Sequence, residues 1–462
     1  MSDNFDVAVI GSGPGGYVAA IRAAQLKQRV IIIEKDKLGG VCLNIGCIPS
    51  KALIHQAHVF NSRMALEGMG VKVDVSSFDY SKVNAASRKA ADTLSRGVAY
   101  LLKKNGVTVV NGTGVLVSDR EILVNNEKRI TAKAIILATG SSPRQIKGFE
   151  FDEQVVLSST GALLMQKLPG SMLILGGGAI GVEFAHIVSS FGVKVTIVEM
   201  MDRILPGEDA EVSELLRRSF VKRGMDIRVG TKAVSMERRA KGADVVLENR
   251  EGVRETVSVE KVLVVTGRVP NTEGIGLEVL GIKTDRGYVL TGDYGETSVK
   301  GVYAIGDIVP TPLLAHVASK EGEIAAEHIA GQPGEKCLDS LAVPGAIYTE
   351  PQVASFGYTE SAAKEKGIAC ETRSFPYKGV GKAVAEGRAE GFVKVVFESS
   401  THEILGVHAI GAEATEIIHE YLLAKKSELL PSEIAGMIHA HPTMSEAVME
   451  SARAVEGWAI HF

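Results

Sequence analysis

Residues 5–35 read FDVAVIGSGPGGYVAAIRAAQLKQRVIIIEK, and the order of residue types in this stretch decides the fold. An apolar run from Val7 to Ile10 meets Gly11-x-Gly13-x-x-Gly16 and passes into an Ala-rich helical segment. A second apolar run, Val30 to Ile33, ends at Glu34. Strand, glycine-rich turn, helix and strand make the βαβ unit that binds dinucleotides. Its glycines allow a tight turn and let a pyrophosphate approach the helix N-terminus closely. Glu34 stands where a carboxylate accepts hydrogen bonds from a ribose 2′-hydroxyl.

The pattern returns in residues 171–200, SMLILGGGAIGVEFAHIVSSFGVKVTIVEM. Gly176, Gly178, Gly181 and Glu199 each follow Gly11, Gly13, Gly16 and Glu34 by 165 positions. A lone GxGxxG is a weak signal. Two in register, each with both strands and the terminal acid, predict a chain that holds two dinucleotides at once. Between and beyond them, Ser81 to Lys104 has helical periodicity, and Val107 to Val124, Ala134 to Leu137, Val262 to Val265 and Gly301 to Ile305 read as strands. After about residue 340 the pattern turns to mixed strands and helices.

Only four cysteines occur in 462 residues, and two of them, Cys42 and Cys47, lie together in GGVCLNIGCIPSK (39–51). The spacing is not that of a metal site, which pairs CxxC units or adds histidines. In a regular α-helix, residues five apart are roughly 8 to 9 Å from one another. A disulfide needs Cα atoms within about 7 Å, so this segment must be distorted or only partly helical. Asn44 and Gly46 are the residues that tolerate such a distortion. The pair therefore reads as a redox device rather than a staple.

The rest of the composition is that of a soluble globular chain of several domains: 45% hydrophobic and 23% charged residues, with a net charge of −4. That charge argues against a nucleic-acid surface. No apolar run approaches the roughly 20 residues of a membrane span. The N-terminus enters a strand at once, and four cysteines make no extracellular framework, so the expected compartment is the cytoplasm. A dithiol and a nicotinamide do not readily exchange electrons, whereas a flavin links them. The first site, close to the cysteines, is thus the FAD candidate and the second the NAD candidate. Glu199 favours NAD over NADP, because it repels a 2′-phosphate.

GGVCLNIGCIPSKAL (39–53), the two fingerprints, ATG (138–140), TGRVPN (266–271), YAIGDI (303–308) and HAHPTMSE (439–446) together resemble the FAD-dependent pyridine nucleotide-disulfide oxidoreductase family over essentially the whole chain. The resemblance is strongest to its NAD-dependent branch, which reoxidises protein-bound dihydrolipoamide in 2-oxo acid dehydrogenase and glycine cleavage complexes. It implies an α/β fold with two Rossmann-like dinucleotide-binding domains and an α+β C-terminal dimerisation domain. The expected divisions are 1–147 (FAD), 148–270 (NAD), 271–340 (a central domain completing the FAD site) and 341–462 (the interface domain of a homodimer).

By the same resemblance, Cys42 exchanges with substrate and Cys47 is the thiolate against the flavin. His441 is the general base and Glu446 the carboxylate orienting it, both reaching the site of the other subunit. Lys51 approaches the flavin and pairs with Glu183 beside the nicotinamide. Asp307 holds the ribityl chain, and Gly140 lies on the adenosine side of FAD. No metal, nucleic acid or membrane is expected; lipoyl domains, an acyltransferase core or a lipoyl carrier protein are the expected partners. His439, Cys337 and Cys370 read as structural.

The rival reductases are glutathione- or mycothiol-type enzymes. Glutathione reductases place arginines after the second strand for NADPH, but EMMDRILPGED (199–209) offers only Arg203. Mercuric and large thioredoxin reductases end in a further cysteine pair, but this chain ends GWAIHF (457–462). A purely scaffolding role would need neither the cysteines nor the histidine.

Overall fold

The computed structural model describes residues 4–461. The first fingerprint folds as strand β1 (Asn4–Ile10), helix α1 (Pro14–Gln25) and strand β2 (Val30–Glu34). These belong to a seven-stranded sheet. Thr108–Asn111, β2, β1, Lys128–Leu137 and Val302–Ala304 run parallel in that order. Alternate residues of the two central strands enter opposite cores. Val7, Val9, Val30 and Ile32 pack on the side of α1, whereas Ala8, Ile10, Ile31 and Ile33 pack on the other. Covering both faces is what turns these strands into continuous apolar runs instead of alternating ones.

The second fingerprint builds a five-stranded parallel sheet whose first four strands follow the same order, Asp226–Arg228, Lys194–Val198, Ser171–Leu175 and Lys261–Val264; its fifth, Val156–Leu157, comes from before the fingerprint instead of after it. The repeat extends to the register. Val7 faces Val30 and Ile10 faces Ile33, as Met172 faces Val195 and Leu175 faces Val198. An antiparallel meander goes with each fourth strand: residues 114–137 extend the first sheet, whereas 231–259 precede Lys261–Val264 as a separate three-stranded sheet.

The two sheets are stitched where their fourth strands end. Ser141–Pro143 pairs with Arg268–Pro270, and Asn271 Nδ2 donates to the Thr139 carbonyl at 3.0 Å. Val302–Ala304 comes from far along the sequence, yet it completes the first sheet and delivers Gly306 and Asp307 to its carboxyl edge. The C-terminal part is a five-stranded antiparallel sheet, with Ala414–Lys426 and Glu446–Val455 packed on it. No described helix is long and apolar enough to cross a membrane.

Candidate active site

Both glycine turns have one design. Gly11 and Gly176 have φ near +100° and +112°, and a Cβ there would lie 2.2 Å from the Ala138 carbonyl oxygen or 2.6 Å from that of Val265. A Cβ on Gly16 or Gly181 would lie 2.0 or 1.9 Å from the oxygen of the first glycine of its own turn. Gly13 and Gly178 differ, for nothing lies within 4 Å of where their Cβ would stand. Space is thus left open at each helix N-terminus, and a pyrophosphate fits it.

Glu34 and Glu199 are held alike. Glu34 accepts from the Ser12 and Asp36 amides at 2.8 Å each, and Glu199 from those of Gly177 and Met201 at 2.7 and 2.8 Å. Each carboxylate clamps its own turn and retains lone pairs for ribose hydroxyls. The Ser12 hydroxyl adds a third bond to Glu34, with no counterpart at Gly177.

The cysteine segment folds as two helices, α2 (Gly40–Ile45) and α3 (Cys47–Asn61), broken at Gly46 with φ −147° and ψ −116°. The distortion expected from the cysteine spacing falls on Gly46 alone. Asn44 stays helical and uses its amide to hold the carbonyls of Leu38 and Gly40 at 3.0 and 2.9 Å. A Cβ at Gly46 would lie 2.9 Å from the Val41 oxygen and 3.2 Å from the Cys42 Cα. The bare glycine therefore allows the close approach that the break requires.

Each thiol shifts the other: interaction with Cys42, aided by the charge of Lys51, holds Cys47 down to about 7, whereas interaction with Cys47 and burial push Cys42 well above the ordinary thiol range. Of the two, Cys47 is thus the one that ionises first, while Cys42 keeps its proton more firmly.

Lys51 lies one turn beyond Cys47 on α3. Its Nζ donates to both oxygens of Glu183, at 3.0 and 2.9 Å, and lies 4.6 Å from the centre of the Tyr348 ring. Glu183 is buried in the helix Ala179–Ser190, which opens at the second glycine turn, and also accepts from the Tyr348 amide. One ion pair therefore links the cysteine helix to the second nucleotide unit.

Asp307 bonds to the hydroxyl of Ser141, which in turn accepts from Arg268 Nε at 2.6 Å. Glu321, from the helix Ala315–Ile329, accepts the Gly306 amide at 2.6 Å, and burial pushes its pKa up. Gly140 has φ +71° and open space around its Cβ position. Arg268 stood inside a motif already noted, but Ser141, Glu321 and Tyr348 carried no sequence signal, because only folding brings them to the site.

His441 Nδ1 lies 2.9 Å from Glu446 Oε1, and the Thr443 amide donates to Oε2 at 2.9 Å. Burial raises the Glu446 carboxyl, but these bonds outweigh it and hold the group below its usual range. The His441 ring is 73% exposed. Within one chain its hydrogen bond is to Glu446, with none to the cysteines among the described residues. His439 is turned inward, onto Glu420 at 2.8 Å.

Residues 5–322 match the family described as pyridine nucleotide-disulphide oxidoreductase, and residues 343–452 match its dimerisation domain. The chain is 42% identical over 466 residues to the dihydrolipoyl dehydrogenase of Zymomonas mobilis, covering all of both. It is 44% identical over 458 residues to that of Chlorobaculum tepidum, covering 98% of this chain and 97% of the other. Among solved structures, LpdA of Mycobacterium tuberculosis superposes with a TM-score of 0.90 at 28% identity, over 97% of this chain and 99% of that one. The HOCl-induced disulfide reductase RclA of Escherichia coli, at 24% identity, TM-score 0.87 and coverage of 98% and 99%, shares the fold. With its paired glycine cradles, its thiol pair on a broken helix and a full-length match to these sequences, the chain belongs to the pyridine nucleotide-disulphide oxidoreductase family.

Proposed function

We propose that this protein oxidises protein-bound dihydrolipoyl groups to lipoyl disulfides with NAD⁺, Cys42 and Cys47 being the exchanging pair. The observation that carries this reading is the thiol pair at the Gly46 break, tied through Lys51 and Glu183 to the second nucleotide unit. FAD and NAD are the cofactors, and bound FAD supplies the two-electron link between dithiol and nicotinamide. The first cradle (Gly11, Gly13, Gly16, Glu34), with Lys51, Gly140 and Asp307, is assigned to FAD. The second (Gly176, Gly178, Gly181, Glu183, Glu199) is assigned to NAD. We assign the domains as 1–147, 148–270, 271–340 and 341–462.

The protein's own groups account for the thiol chemistry. The carboxylate of Glu446 takes the Nδ1–H of His441, so Nε2 is left as the basic nitrogen. Carried on the interface domain of a homodimer, the exposed His441 reaches the cysteines of the other subunit and accepts a substrate thiol proton there. The substrate thiolate attacks Cys42 Sγ, the Cys42–Cys47 bond breaks, and the leaving sulfur is Cys47, which its surroundings favour as thiolate. The second substrate thiol then displaces Cys42 and closes the lipoyl disulfide. Overall, dihydrolipoyl and NAD⁺ become lipoyl, NADH and a proton. The substrate-bearing partners are assigned as lipoyl domains on the acyltransferase core of 2-oxo acid dehydrogenase complexes, or the lipoyl carrier of glycine cleavage.

The test is anaerobic titration of the holoenzyme with dihydrolipoamide and then NAD⁺, with glutathione and mycothiol disulfides plus NADPH in parallel. NADH formation from dihydrolipoamide supports the reading. Turnover confined to NADPH and another disulfide moves the substrate to the rival reductases.

A further inference from the structure

The helix Tyr80–Lys104 runs past the redox segment and carries a cation that the thiol chemistry does not use. Arg88 donates from Nη1 to the Asn44 carbonyl oxygen at 2.7 Å. Its Nε and Nη2 are buried and have no hydrogen-bond partner among the described residues. Burial depresses its pKa, and the charge of Asp92, one turn on, opposes that shift without forming an ion pair. A guanidinium so placed is unfavourable unless the one bond it makes matters.

The bond goes to a particular carbonyl. Helix α2 ends at Ile45, and its last four carbonyls, from Cys42 to Ile45, have no partner within the helix. The Asn44 carbonyl is one of these, and a cation there also complements the helix dipole. The break after Ile45 is what allows residues five apart to meet. Asn44 thus anchors α2, up to the edge of the break, twice. Its side chain bonds back to Leu38 and Gly40, and its carbonyl is taken by Arg88 from outside the segment.

We propose that Arg88 is a positioning residue for the redox pair, holding α2 and α3 in the broken arrangement in which Cys42 and Cys47 close to a disulfide. The proposal rests on reading these cysteines as the exchanging pair. In the test, holoenzyme is equilibrated with mixtures of reduced and oxidised dithiothreitol, quenched in acid, and its free thiols at Cys42 and Cys47 are counted by alkylation and mass. The enzyme disulfide bond breaks as the cyclic dithiothreitol disulfide forms, and two electrons and two protons pass between them.

R88M is expected to weaken disulfide closure about tenfold, as fits loss of a hydrogen bond from a charged donor. R88K keeps a donor and is expected to stay within about threefold of wild type. Should R88M fail to fold, R88Q takes its place. An R88M constant equal to wild type, even with a lowered melting temperature, would make Arg88 a packing residue and overturn the proposal. A wild-type pair that closes at no mixture would overturn the redox reading itself.

Discussion

At the residue scale, function depends on which sulfur keeps the proton. Interaction with Cys42 and the charge of Lys51 favour thiolate at Cys47, whose pKa is held down to about 7, below the ordinary thiol value of 9.0. In the dithiol enzyme, alkylation of Cys47 by iodoacetamide is therefore expected to rise with pH through a midpoint near 7. Thiolate is the charged form, so removing the cation raises the pKa. K51M is expected to move the midpoint up by about one unit and slow alkylation at neutral pH several-fold. An unmoved midpoint would show that Lys51 does not act on the thiol. His441 follows the same logic through its proton. H441Q is expected to lower kcat with dihydrolipoamide by roughly 10²–10⁴-fold while FAD content is unchanged, measured by steady-state kinetics against flavin absorbance.

At the element scale, the break between α2 and α3 sets the geometry. A methyl at Gly46 meets the Val41 carbonyl oxygen at 2.9 Å, and backbone there cannot swing aside as a side chain would. G46A is expected to destabilise the holoenzyme by roughly 1–3 kcal/mol, the usual penalty for forced overpacking, and to slow dihydrolipoamide oxidation more than it slows diaphorase transfer from NADH to a dye. Equal loss in both assays would place the damage at the nucleotide sites instead. The helix Ala179–Ser190 shows a second consequence of burial. His186 lies inside it with Nδ1 3.0 Å from Arg223, and burial, with that cation, holds its pKa down to about 3. The unfolded chain takes up the proton near 6.5, so stability is full above that pH and falls as pH drops towards 3. Between pH 6.5 and 5 this amounts to about 2 kcal/mol. H186N is expected to lack that share of the acid sensitivity in denaturant titrations, and identical slopes for both proteins would exclude it.

At the scale of the whole molecule, the cysteines and the histidine sit on separate units of one chain, and the proposed role of His441 needs a second copy, as the matched dimerisation domain supplies. Ile438, three residues before His441, is 98% exposed. Variants C47S and H441Q are each expected to be inactive towards dihydrolipoamide. Co-expressed in equal amounts, they form mixed dimers in which one of two sites has both native groups. By the two-fold symmetry of the assembly the mixture is expected to regain about a quarter of wild-type activity. Activity no higher than the parents would place base and thiols in one subunit. Lys394 ties the interface sheet to the second nucleotide unit. Only 3% exposed, it pairs with buried Asp209 at 3.1 Å and with Glu211 at 2.6 Å. Removing one member of such a pair strands a buried charge.

What the amino-acid sequence determined by itself is whatever rests on local spacing. Glycines at fixed intervals after an apolar strand dictate the turn, and a terminal acid dictates the clamp. The interval of 165 between Gly11 and Gly176 therefore foretold two βαβ units, and the structure shows their paired strands in the same register. The cysteine spacing likewise demanded a break in the helix, although not that Gly46 alone would make it. What only the tertiary structure decided is how distant segments converge. Arg88 on Asn44, Tyr348 on Glu183, Ser141 on Asp307 and Glu321 on Gly306 are each joined across the fold. None shares a turn of helix or a strand with its partner. Such contacts depend on packing between elements and not on periodicity within one, and for that reason no spacing rule records them.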